Sequence, residues 1–110
     1  MNIIKTKAEL LSIMDEEKNA VVCFHASASP CSQHTVQMLA KIRSKYPSTE
    51  FSLVEANADV FRPLLLDFEI TEIPSIGVFC DGFQVKTLGS GETTKSLMRI
   101  LGRYLKRGGI

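Results

Sequence analysis

Val21-Val22-Cys23-Phe24-His25-Ala26-Ser27-Ala28-Ser29-Pro30-Cys31-Ser32 reads as an apolar strand running into the start of a helix. Val21 to Phe24 form a near-continuous apolar run, the pattern of a central strand buried on both faces rather than the alternation of a half-exposed one. Ser29 or a neighbour can cap the helix that follows. Pro30 is acceptable in its first turn, because the missing N–H has no helical partner there.

Outward from this unit, the rest of the chain falls into short periodic runs. On the N-terminal side, residues 2–4 can form a strand, and Thr6 with Glu9 reads as a capping box before an amphipathic helix carrying Leu10, Ile13 and Met14. The cluster of acids and asparagine from Asp15 to Asn19 ends that helix. On the C-terminal side, the helix opened near Ser29 is expected to run to about Tyr46 and to stop before Pro47. A strand over 51–56, a turn at Asn57 and Asp59, and a helical stretch over 64–68 follow. Residues 75–79 and 83–88 flank Asp81-Gly82, a hairpin signature, and Gly89 and Gly91 then break the chain. Residues 93–106 read as a terminal helix with Leu97, Ile100, Leu101 and Tyr104 or Leu105 inward. Strands alternating with helices and closing on a hairpin imply an α/β protein, with parallel βαβ units finished by an antiparallel pair. The expected sheet is mixed, of four to five strands, with about four helices over its two faces.

At 110 residues and 45% hydrophobic, the chain has room for one domain, taken as 1–110, with a packed core. Thirteen basic against twelve acidic residues leave a formal charge of +1, no electrostatic footprint for nucleic acid or an anionic membrane. The cluster Arg99, Arg103, Lys106 and Arg107 is explained by the preference of a last helical turn for cations. No apolar run approaches the roughly 18 residues of a membrane span, and the first residues lack the layout of a signal peptide. The expectation is a cytoplasmic protein without a membrane partner. Three cysteines, Cys23, Cys31 and Cys80, are an odd number, which argues against a disulfide framework. Their spacings fit no zinc signature, and only His25 and His34 could assist, so neither metal nor cofactor is expected.

The stretch at 21–32 resembles the redox loop of the thioredoxin family, whose strand end and helix start read Val-Val-Asp-Phe-x-Ala-x-Trp-Cys-Gly-Pro-Cys. Counting forward from Phe24 places Ser29 and Ser32 on the two cysteine positions, Pro30 on the glycine and Cys31 on the proline. A slide by one residue would align Ala28-Ser29-Pro30-Cys31 and keep the second cysteine, at the cost of an offsetting indel. Unshifted, Met38, Leu39 and Ile42 fall on the family's core positions, and Lys45-Tyr46 stays in register. On either count the Cys-x-x-Cys dithiol is absent. Ile73-Pro74-Ser75 is a second landmark, similar to the family's Ile-Pro-Thr with its cis proline. Asn57-Ala58-Asp59 resembles the motif after the third strand, and Gly89 or Gly91 the glycine lining the peptide groove. The resemblance covers essentially the whole chain and implies the thioredoxin fold.

The departures concentrate in the chemistry. Ala28 stands for the family's exposed Trp, Gln33 for the basic residue after the cysteines, and Cys23 for the buried Asp. Disulfide exchange needs an attacking thiolate, a resolving thiol and a proton acceptor. Serine is no substitute, because its hydroxyl is a weak nucleophile without an adjacent base, and no Ser-His-acid order is evident. His25 at a strand end reads more readily as a hydrogen-bonder than as a base. Cys23 reads as a small core residue and Cys80 as a turn-flanking one, while the Leu64-Leu65-Leu66 run exceeds what one helical stripe needs.

Two functional readings follow. In the first, the chain is a non-catalytic protein-binding or assembly module. It would hold a protein partner or an extended peptide segment by backbone pairing beside Ile73 and apolar contact around Ala28, Pro30 and Pro74. In the second, it is an atypical monothiol oxidoreductase in which Cys31, in the first turn of a helix, forms mixed disulfides with glutathione or a protein. An iron–sulfur reading through Cys31 would require a dimer or glutathione to complete the site. The resemblance is compatible with either a monomer or a dimer.

Overall fold

The structure, a computed structural model, describes residues 1–105. Its elements are β1 (Asn2–Ile4), α1 (Lys7–Glu16), β2 (Asn19–His25), α2 (Pro30–Ile42), β3 (Glu50–Glu55), β4 (Ser75–Cys80), β5 (Phe83–Leu88) and α3 (Thr94–Tyr104). One sheet of five strands runs β1-β3-β2-β4-β5. Strands β1 and β2 lie parallel to β3, whereas β4 is antiparallel to both β2 and β5. The mixed sheet is the one expected. Lys106 and Arg107 of the basic cluster, the former also the last residue of the expected terminal helix, lie outside the described residues, and Arg99 and Arg103 are exposed. Among the described residues, no helix is long and apolar enough to cross a membrane.

Strand β2 organises both layers. Ala20 to Phe24 are all buried, and their side chains alternate between two cores. Val21 and Cys23 pack with Met38, Leu39 and Ile42 of α2, and with Leu97 and Leu101 of α3. Ala20, Val22 and Phe24 pack on the other face with Leu10 of α1 and with Phe61, Phe68 and Ile70. The near-continuous apolar run thus has the physical origin inferred for it, since neither face meets water.

Helix α1 begins at the expected cap, where the Thr6 hydroxyl accepts the Glu9 N–H at 3.1 Å. The return half of the box differs. The Glu9 carboxylate takes the Thr6 hydroxyl and the Lys5 N–H rather than the Thr6 N–H. A complete box forms at α3 instead, between Thr93 and Ser96, with a serine in the place usually held by Glu or Gln. Helix α2 stops at Ile42, short of the expected Tyr46, because a tighter 3₁₀ turn over Arg43–Lys45 takes over. That turn carries Tyr46 into the core.

The largest correction concerns residues 61–70, expected to contribute a fourth helix over 64–68. Only a 3₁₀ turn, Arg62–Leu64, and a run of irregular turns form there, leaving three α-helices among the described residues. Pro63 lacks an N–H, and the Leu64 N–H reaches Phe61 O, three residues back, the spacing of the tighter helix. The segment closes as a helix C-cap would. Glu69 adopts φ +59, its N–H bonds Leu66 O, and the Ile70 N–H bonds Leu65 O at 2.8 Å. Leu64 and Leu65 rest against the second core, but Leu66 is 81% exposed, so packing accounts for two of the three leucines. At Asp81-Gly82 both φ values are positive, as a two-residue hairpin turn requires.

Glycine would meet the left-handed conformation of Glu69 without a side-chain penalty. Glu69→Gly is therefore expected to stabilise the fold by about 1 kcal/mol, raising the melting temperature by roughly 4 °C or more. A thermal melt showing no gain would contradict the left-handed cap.

Candidate functional site

The strand registers bring three loops to one end of the sheet. Phe24 pairs with Ser75, so Ile73-Pro74 enters β4 beside the loop that leaves β2 at His25. Ile76 pairs with Leu88, which sets Gly89 and Ser90 on the other side of the same entry. The Ile73–Pro74 peptide is cis. Pro74 itself is buried, so it offers little surface to a partner, and Ile73 is half-buried. Neither the N–H nor the C=O of Ile73 is bonded to another backbone group among the described residues.

The first turn of α2 uses its hydroxyls structurally. The Ser29 hydroxyl caps the helix by accepting the Ser32 N–H at 3.4 Å. Ser32 is fully buried and its Oγ accepts the Ala26 N–H at 3.0 Å, tying the loop back onto the helix. Pro30 occupies the first turn as expected, and both it and Ala28 are exposed. Cys31 points outward from the same turn and is exposed.

The other thiols have different surroundings. Burial pushes the Cys23 thiol up to about 12. Cys80 is half-buried, and burial, with the Asp81 carboxylate, raises its pKa too. Its Sγ lies 3.6 Å from Tyr104 O, to which it donates. All three cysteines are free, and among the described residues no group of three or more metal-ligating side chains is assembled.

Two carboxylates at this end of the sheet were not singled out by the sequence. Glu55, at the end of β3 and in register with His25, accepts the Ser27 N–H at 3.1 Å. Burial pulls its pKa upward, but hydrogen bonds from Ser27, the charge of His25 and the Asn57 N–H outweigh that and hold it below its ordinary value. Beside it, His25, Ser27, Gln33, Val36 and Gln37 line an open depression of about 240 Å³. The second is Glu72, whose Oε1 accepts the Ser90 N–H at 2.9 Å. Its carboxylate lies so close over Gly89 that a Cβ there would stand 1.8 Å from Oε1. No local spacing links these partners in the sequence, although a glycine at 89 was a visible sign of close approach.

A mixed five-stranded sheet with α1 on one face, α2 and α3 on the other, and a cis proline entering the terminal hairpin is the thioredoxin fold. Solved structures agree. A thioredoxin of Plasmodium falciparum superposes with a TM-score of 0.82 at 22% identity, over 94% of this chain and 99% of that one. Thioredoxin O2 of Arabidopsis thaliana, in its oxidised state, gives 0.82 at 16% identity over 96% and 94%. Mitochondrial thioredoxin 3 of Saccharomyces cerevisiae gives 0.80 at 16% identity over 94% of each chain. At these identities the likeness is one of fold. No protein-family model matches the sequence, and no curated protein matches it.

Cys31 is exposed, whereas burial raises the pKa of Cys23 and Cys80. In the native protein near neutral pH, alkylation should modify Cys31 alone, with Cys23 and Cys80 reacting only after denaturation; mass spectrometry of the labelled peptides decides, and native labelling of Cys23 would contradict its burial. The sign for Glu55 also follows. A depressed carboxylate contributes stability above the ordinary Glu value of about 4.3, and that contribution fades as pH falls through the lower folded value. The Ser27 amide resonance should titrate with a midpoint below about 4.3, and Glu55→Gln should make stability less sensitive to acid in that range. A midpoint at or above the ordinary value would contradict the arrangement.

Proposed function

We propose that this chain is a non-catalytic thioredoxin-like module that holds an extended segment of a partner protein against Ile73. The observation that carries the reading is the backbone of Ile73, unpaired among the described residues and set where the chain enters β4, at the end of the sheet that also carries the exposed Ala28 and Pro30. An unpaired N–H and C=O next to apolar surface suit backbone pairing with an extended chain, in which main-chain bonds supply affinity and neighbouring side chains supply selectivity. The first turn of α2 supports the loss of dithiol exchange. Its capping and buried positions, Ser29 and Ser32, are three apart like the family's cysteines, and both hydroxyls are engaged with backbone N–H groups. The same geometry favours the ungapped alignment, because Cys31 faces solvent between them. In this reading the three free thiols belong to a reducing, cytoplasmic setting.

The monothiol reading retains one supporting observation, the exposure of Cys31. Photocrosslinking in cells separates the two. A benzoylphenylalanine at position 28 should give discrete partner adducts that the same group at Ala40, on the exposed side of α2, does not give. Those adducts should persist in Cys31→Ser. Adducts lost in Cys31→Ser would transfer the function to thiol chemistry, and none from position 28 would overturn the groove.

A further inference from the structure

We infer that Glu72 makes this groove selective for an extended segment bearing a lysine or arginine next to the residue that pairs with Ile73, an inference that rests on the groove reading above. Glu72 immediately precedes Ile73 and is held from two sides. Its carbonyl oxygen accepts the hydroxyl of the buried Ser75, and its Oε1 accepts the Ser90 N–H. The side chain therefore bridges from the 72–74 entry to the 89–90 loop, with its carboxylate lying over the bare α-carbon of Gly89.

The bond from Ser90 uses Oε1, whereas among the described residues Oε2 takes no hydrogen bond and the carboxylate has no cationic partner. Glu72 is exposed at this rim. A carboxylate fixed in place but not neutralised is complementary to an incoming cation. Because its rotamer is already restrained, a lysine ammonium or an arginine fork meets it with less ordering cost than at a freely rotating glutamate. A neutral segment would take the same backbone bonds without that contact, and an acidic one would be repelled.

The test is selection of random short peptides on phage against the full chain and its Glu72→Gln and Glu72→Lys variants. Recovered peptides are then titrated as synthetic copies into isotope-labelled protein, with amide resonances reporting the site. Wild type should enrich Lys and Arg, and replacing that residue by Gln should weaken binding roughly three- to fivefold. Glu72→Gln, which keeps the acceptor for the Ser90 N–H, should erase that difference, and Glu72→Lys should select Asp or Glu. Peptides that perturb the Ala28, Ile73 and Ser90 amides without any charge preference, or that rank alike on wild type and Glu72→Gln, overturn the cation inference and leave the groove standing. Peptides that perturb other surfaces only, or the recovery of none, overturn both.

Discussion

From Ala20 to Phe24, strand β2 has no face toward water, and its neighbours are arranged around that constraint. Each apolar side chain from Val21 to Phe24 is removed from solvent, a gain of roughly 1.5–3 kcal/mol for a fully buried Val or Phe. Because alternate residues feed opposite cores, a slip of one residue would exchange Val21 and Cys23 with Val22 and Phe24, whose volumes and partners differ. The register is therefore firmly set. With it are set the point where the chain leaves the sheet at His25, the parallel alignment with β3 and the antiparallel alignment with β4.

From that anchored strand the candidate site follows geometrically. Ser32 closes the loop onto Ala26, Ser29 caps the helix, and the entry to β4 and the exit from β5 fall beside them. A hydroxyl serves both structural roles well, since each needs only an acceptor for a helix-end or loop N–H. Exchange of disulfides needs far more: a thiolate, a second thiol and a proton acceptor in one place. On the central strand, burial pushes the Cys23 thiol up to about 12, and the side chain packs with Met38, Leu39 and Ile42 of α2. At this end of the sheet the hydroxyls of Ser29 and Ser32 meet the scaffold's requirements.

The legibility of the fold varied with the range of the forces involved. The two caps, the Asp81-Gly82 turn and the doubly buried strand were readable because each is decided by neighbours within a few residues. Residues 61–70 misled because an apolar run with helical spacing also suits irregular turns. Pro63 and the left-handed Glu69 break the helix where the apolar run alone carried no warning. The Glu9 half of the first capping box likewise turned on side-chain competition, which spacing does not resolve.

At the site, the sequence by itself determined the absence of a Cys-x-x-Cys pair, the serines in the first turn of α2 and the Ile-Pro step before the hairpin, since these are matters of residue identity and local order. Tertiary structure decided the rest. It exposed Cys31, buried Pro74 and Cys23, and joined Glu55 to Ser27 across 28 positions and Glu72 to Ser90 across 18. Such partners carry no local spacing signal. They meet only because the buried register of β2 brings the ends of separate strands to one end of the sheet.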